Sequence, residues 1–247
     1  MAGFFGPVTA ALLAALEPRP GDTVLELAGG PGELAEVLAP RVARLVSTDL
    51  SPKMVEAARR RGLNGVEHRV LDMQELDLPD DSVDKAVCRF GYMLVPDSLR
   101  AMKETRRVVR PGGRVAFATW AVAKRNPWAT VFGPVLVERG LMEAPQPGEP
   151  GQFALGESAV VEELARRAGF ADVRVEDVSL TFRFADCDDY RRVITGMAVS
   201  MRDALEGLDP AAHADVDAAA RTRFEPFRRG DEYVLPGVAL VARAVRR

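Results

Sequence analysis

Glu26 is the first residue in this chain whose position asks for chemistry. It stands inside an apolar run, TVLELA over residues 23–28, and the chain then passes at once through Gly29, Gly30 and Gly32. An ionised carboxylate is costly to bury alone, so such an acid reaches solvent, caps a neighbouring backbone, or meets a cation. A turn stripped of side chains lets a ligand approach the backbone closely. Gly30, Gly32 and Ala35 also satisfy the relaxed G-x-G-x-x-A pattern of dinucleotide sites, a weak signal alone. A pyrophosphate at that turn would be repelled by Glu26, whereas an ammonium group would suit it.

Two further acids extend the pattern. Asp49 ends the next apolar run, ARLVSTD, where a carboxylate can accept from both hydroxyls of a ribose. Its structural alternative is a turn or cap before Ser51 and Pro52. Asp72 follows VEHRVL, and could accept from the exocyclic amine of a base while Met73 packs on the ring; the alternative is a solvated acidic loop. Asp49 speaks for a nucleoside without choosing between a dinucleotide and an adenosyl ligand.

The elements that must hold these residues alternate. TVLELA reads as a strand and GELAEVLAP as a helix; ARLVSTD is a strand and SPKMVEAARRR a helix. VEHRVL and DKAVCRF are strands. DSLRAMKETRRVV is a helix stopped by RPGG, and RVAFATW is the next strand. Such alternation is the signature of a parallel sheet covered by helices on both faces. After Trp120 the pattern loosens around WATVFGPVLVERG. It resumes as a helix in AVVEELARRAG and a long strand in DVRVEDVSLTFRF. Helical stretches over roughly 187–206 and 210–227 precede a closing strand, EYVLPGVALVARAV. VTAALLAAL reads as a first helix opened by Pro7, with no basic residue before it and no cleavage pattern after it.

In order and interval, VLELAGGPGELA, VSTDLSPKMVEAAR, VLDMQELDLPDDSVDKAV and ETRRVVRPGGRVAFATW resemble the successive motifs of class I S-adenosylmethionine-dependent methyltransferases. The nearest subgroup is the small-molecule enzymes typified by ubiquinone/menaquinone-biosynthesis methyltransferases. The resemblance spans residues 22–120 and continues weakly in AGFADVRVE and the final strand. It implies an α/β fold: a Rossmann-like, seven-stranded, mostly parallel sheet with helices on both faces, helical cap insertions, and the last strand antiparallel. The expected organisation is one domain over 1–247, with a core of 20–120, 158–185 and 231–247. The cap insertions are expected at about 121–157 and 186–230.

The same resemblance implies the cofactor, S-adenosyl-L-methionine, with S-adenosyl-L-homocysteine as product. It implies that Glu26 faces the methionine ammonium and that Ala28, Gly29, Gly30 and Gly32 form the glycine loop. Asp49 would take the ribose with Leu50 and Met54 beside the adenine, and Asp72 and Met73 would be the adenine pair. Arg89 and Phe90 would border the methionine and the acceptor. Ala28 departs from the family's usual glycine, which alanine can replace without strain where φ is negative.

Transfer of an electrophilic methyl needs alignment rather than a nucleophilic residue or a metal. Tyr92 and His213 are the candidates for a general base, and no metal site is expected; DCDD over 186–189 reads as a helix cap. Trp120, Trp128, Phe132, Tyr190, Met197 and Met201 are candidates to line an apolar acceptor pocket, or simply to pack a cap onto the core. The expected acceptor is a small, apolar, ring-bearing molecule methylated on oxygen or carbon.

A formal charge of −3, with no long basic run, speaks against nucleic acid. Two separated cysteines suit a reducing cytoplasm, and no stretch approaches a membrane span. The rivals are a nicotinamide-dependent oxidoreductase on the same glycine pattern, and a catalytically silent cofactor-binding module.

Overall fold

Glu26 lies on an interior strand of the central sheet in the computed structural model. The structure describes residues 4–146, 148–197 and 199–247, with the side chains of 197, 199 and 200 excepted. The strands are β1 (Thr23–Leu27), β2 (Arg44–Asp49), β3 (Val66–Val70), β4 (Val83–Arg89), β5 (Val109–Trp120), β6 (Ala171–Phe184), β7 (Arg228–Arg229) and β8 (Glu232–Val245), and the sheet order is β3-β2-β1-β4-β5-β8-β6. β1 to β5 are mutually parallel, and β8 runs antiparallel between β5 and β6. The seven-stranded sheet with an antiparallel last strand is therefore present. The two-residue β7, folded back on β8, makes an eighth.

Helices α1 (Gly6–Leu16), α2 (Glu33–Leu38), α3 (Pro52–Arg59), α4 (Ser98–Val108) and α6 (Ser158–Arg167) accompany the sheet. Their starts follow from local chemistry. Ser51 accepts from the Met54 backbone N–H with Pro52 in the first turn, and Asp97 accepts from the Arg100 N–H at 2.8 Å. β1 is apolar on both sides because helices cover both faces: Val24, Leu25 and Leu27 are fully buried. Chain order reverses between β1 and β4, so the crevice beyond their carboxyl ends is where an open α/β sheet takes its ligand.

One boundary differs from expectation. RPGG does not simply end α4; β5 already begins at Val109, pairs with Val83, and slips register before Arg114 pairs with Lys85. Gly113 makes this possible, since a Cβ there would lie 2.4 Å from the Asp84 carbonyl oxygen.

The remaining helices are α5 (Phe132–Glu138), α7 (Cys187–Met197), α8 (Val199–Glu206) and α9 (Pro210–Phe224). The stretch expected over 187–206 is thus two helices, and that over 210–227 is a helix followed by one tighter turn at 225–227. α7 opens with a reciprocal cap: the Asp189 N–H donates to Asp186 Oδ1 at 2.7 Å, and Asp189 Oδ2 accepts from the Ala185 N–H at 3.1 Å. Ion pairs Arg223–Glu138 and Arg139–Asp215 tie α9 to the end of α5. Among the described residues no helix is long and apolar enough to cross a membrane.

Candidate cofactor site

Parallel register brings the three sequence-predicted acids to one edge. Glu26 pairs with Ser47 across β1 and β2, and Asp49 pairs with Val70 across β2 and β3, two residues before Asp72. Beyond β1 lies a cleft of about 250 Å³ bounded by Glu26, the Gly29–Pro31 turn, Glu33, Arg89, Phe90 and Phe5.

Glu26 does not escape to solvent. It is 1% exposed, and its Oε2 accepts from the Ser47 hydroxyl at 2.6 Å. Burial pushes its pKa up to about 7, against the opposing pull of the Ser47 hydrogen bond and the positive charge of Arg89. Gly29 is required by this pair: a Cβ there would meet Ser47 Oγ at 2.5 Å and Glu26 Oε2 at 2.9 Å. Gly30 is required for another reason. Its φ is +54°, and the space its missing side chain would fill is open, with nothing within 4 Å.

Asp49 is a turn residue, one of the two readings the sequence offered. Its Oδ2 accepts from the Gly30 N–H and its Oδ1 from the Ser51 N–H, each at 2.9 Å, so it locks the glycine turn to the start of α3. A carboxylate oxygen has two lone pairs, so one on each oxygen stays available to hydroxyl donors. Leu50 and Met54 beside it are 66% and 44% exposed, leaving an apolar ledge at the same edge. Asp72 Oδ1 accepts from the Gln74 N–H at 2.8 Å, and Met73 is buried next to Gly91.

On the opposite wall Arg89 Nη2 donates to Glu33 Oε2 at 2.9 Å and Nη1 to Thr9 Oγ1 at 3.0 Å, with its guanidinium 5.4 Å above the Phe5 ring. Phe90 lies flat on Trp120, ring centres 4.2 Å apart at 7°. Two non-glycine residues here sit in the left-handed region: Phe90 at φ +66° and Ala28 at φ +52°. Alanine therefore does not escape strain through a negative φ, as the sequence reading required; it replaces the glycine at a cost of about 1–2 kcal/mol. Such strain concentrates at functional sites.

A family profile described as a methyltransferase domain matches residues 25–117. Over 187 residues the chain is 33% identical to a ubiquinone/menaquinone biosynthesis C-methyltransferase from Acidiphilium cryptum, covering 68% of this chain and 73% of that protein. The chain belongs to the class I S-adenosylmethionine-dependent methyltransferases. A putative methyltransferase from Bacillus halodurans shares its fold over 98% of this chain and 99% of that one, with a TM-score of 0.66 at 18% identity. So does a phosphoethanolamine N-methyltransferase of Haemonchus contortus solved with S-adenosyl-L-methionine, over 98% of this chain and 52% of that one, with a TM-score of 0.59 at 19% identity. Against several other curated relatives the chain spans less than half of the relative's length.

The cofactor of this methyltransferase is S-adenosyl-L-methionine, and the donor set fits it: a buried acid with no salt bridge among the described residues, free lone pairs on Asp49, and open space before Gly30. The nicotinamide alternative falls with the family assignment.

Other candidates lie elsewhere. Tyr92 is fully buried, its hydroxyl 2.6 Å from Thr105 Oγ1 under α4, and desolvation pushes its pKa well above the usual phenol value. It does not face the cleft, because Gly91 and a tight turn over 92–94 rotate it inward. His213 lines a separate polar cleft of about 900 Å³ between α7, α8 and α9, with Nδ1 3.4 Å from Asp217. Trp120, Trp128, Phe132, Tyr190 and Met201 are buried, and the four aromatic residues pack on one another or on sheet rings. Met197 lies outside the described side chains. Among the described residues no group of three or more His, Cys, Asp or Glu could hold a metal.

Sequence reasoning missed Ser47, Glu33 and Phe5. Ser47 carried a signal, a hydroxyl inside the apolar LVSTD. Phe5 and Glu33 carried none, since they read as ordinary helix-end residues.

Proposed function

We propose that this chain transfers the methyl of S-adenosyl-L-methionine to oxygen or carbon of a small, apolar, aromatic or quinone-like acceptor. The observation that carries the reading is the Phe90–Trp120 stack. It gives the methionine end of the cleft an aromatic wall, which suits a planar apolar molecule better than a charged one. The name of the Acidiphilium relative, a quinone-pathway C-methyltransferase, points the same way.

When bound, the cofactor supplies a methyl group made electrophilic by its sulfonium. The chain's residues align it. Glu26 faces the ammonium, with Ser47 fixing its carboxylate; the Gly29, Gly30 and Gly32 turn, with Ala28, lets the backbone approach. Asp49 takes the ribose hydroxyls, Leu50 and Met54 border the adenine, and Asp72 with Met73 holds its edge. Arg89 and Phe90 divide cofactor from acceptor. Holding the reacting atoms in line supplies roughly 7–11 kcal/mol of the barrier reduction. Tyr92, sealed in the core, and His213, on the other cleft, receive no role as base. Segments 121–157 and 186–230 form the cap on the acceptor side of the core, and two separate buried thiols, Cys88 and Cys187, suit a reducing cytoplasm.

Labelled-methyl transfer to a panel of phenols, quinols and polyketides tests this reading. Label in at least one ring-bearing acceptor is expected. Transfer to none of them, with S-adenosylhomocysteine bound normally, would overturn it in favour of a silent cofactor-binding module.

A further inference from the structure

We propose that this chain forms a two-fold dimer by pairing β6 of one copy antiparallel with β6 of a second, in the register that sets Arg174 of each against Glu176 of the other. The sheet runs from an edge at β3 to an edge at β6, and the two are finished differently. β3 is five residues long, and its acid is spent on its neighbours: Glu67 pairs with Arg69, two residues along, and with Arg44 of β2. Shortness and charge protect an exposed edge from further pairing. β6 runs for 14 residues and bonds on one side only, to β8. On its outer side, among the described residues, its backbone N–H and C=O groups find no partner within the chain. Those groups are a template for another strand.

The charges of β6 choose the strand. Asp172 pairs with Arg247, Asp177 with Arg125 and Arg183 with Glu232. Arg174 and Glu176 are left over. Both are exposed and have no ionic partner among the described residues, although their spacing is the one at which Glu67 and Arg69 meet. Arg174 also lies directly opposite Arg243 of β8, a like charge across the ladder, which is destabilising until an acid arrives. Side chains of a strand alternate faces, so Arg174 and Glu176 share one. A two-fold axis at Val175, perpendicular to the sheet, keeps each face on its own side and makes the Arg174–Glu176 pair twice. The register slip between Ala171 and Arg174, with Asp172 at φ +52°, ends the ladder on that side. The shared segment is therefore short, and the dimer reversible. Because the axis reverses strand direction, the two cofactor edges face opposite ways and both clefts stay open.

Sedimentation equilibrium of the full chain over a dilution series tests this. The wild type should exchange between monomer and dimer. Arg174→Glu and Glu176→Arg, each alone, should weaken the dimer about tenfold or more, because each sets like charges opposite one another twice. The two together should restore it to within about threefold of the wild type, since the same pairs form with signs exchanged. S-adenosylhomocysteine affinity should stay within about twofold in all three variants, which certifies the fold, on the scale of surface changes. Raising the ionic strength should weaken the wild-type dimer severalfold, a reading that needs no variant. A wild type that stays monomeric throughout, a dimer indifferent to either reversal, or a double variant no better than the single ones would each overturn the assignment. So would a dimer that salt strengthens.

Discussion

At the carboxyl ends of β1 and β2 a fully buried acid, Glu26, meets one hydroxyl and no salt bridge among the described residues. In α5, α7 and α9 and the strands they pack on, the rings are already matched. Phe132 stacks on Tyr190 and Phe224 on Tyr233, Tyr190 packs tilted against Phe224, and the Tyr190 hydroxyl donates to the Trp128 carbonyl and Trp128 Nε1 to Asn126. One region keeps polar capacity in reserve and tolerates strain at Ala28 and Phe90; the other has spent its capacity on itself. The contrast separates binding from packing. A site is where folding leaves an interaction unfinished, and the aromatics of Trp128, Phe132 and Tyr190 hold the protein together.

The largest effect that could break this contrast is among the packed rings. Trp128→Ala should cost about 3–5 kcal/mol in denaturant unfolding, since its ring is fully buried against Phe182 and Trp120. A loss under about 1 kcal/mol, the range of an unpacked surface site, would mean that Trp128 lines an acceptor pocket rather than packs.

Next comes Glu26. Its folded pKa, about 7, lies above the ordinary 4.5, so the folded chain holds the proton more tightly than the unfolded one. The resulting stability is complete below pH 4.5 and is lost as pH rises through 7, a span of about 3 kcal/mol. Ligand-free Glu26→Gln should therefore gain on the wild type between pH 5 and 8, by about that amount. Comparing the two proteins cancels carboxylates shifted the other way, such as Glu67 and Glu104. A constant stability difference across that range would refute the buried, proton-holding acid.

Asp49→Ala should weaken S-adenosylhomocysteine by about 1.5–3 kcal/mol, read by calorimetry. An unchanged dissociation constant would leave Asp49 only its lock on Gly30 and Ser51. The smallest effect is Tyr92→Phe, which removes the bond to Thr105 and should cost about 1 kcal/mol of stability while methyl transfer stays at the wild-type rate. A collapse of transfer with stability intact would restore Tyr92 as a base.

The same contrast explains what the sequence made legible. Glu26, Asp49 and the glycines are exceptions to strand and helix composition, and an exception can be read in one dimension. The capping pair Asp186 and Asp189 was legible for that reason too. Ala28 was not, because nothing in an alanine announces φ +52°. Tyr92 misled because position at a strand's end does not say which way the next turn rotates the side chain. The roles of Arg89, Glu33 and Phe5 depend on α1 and β4 meeting in space, a contact between residues 80 apart. The cap aromatics read alike as pocket or core, since both are made of the same rings.

The measurement closest to the centre of the account is the affinity for S-adenosylhomocysteine at pH 5.5 and pH 8 in the wild type and in Glu26→Gln. If Glu26 is the acid that meets the ammonium, binding to the wild type must displace its proton at the lower pH, so affinity should rise several-fold toward pH 8. Glu26→Gln should bind weakly and equally at both. A wild type as tight at pH 5.5 as at pH 8, or a Gln variant that matches it, would contradict the account.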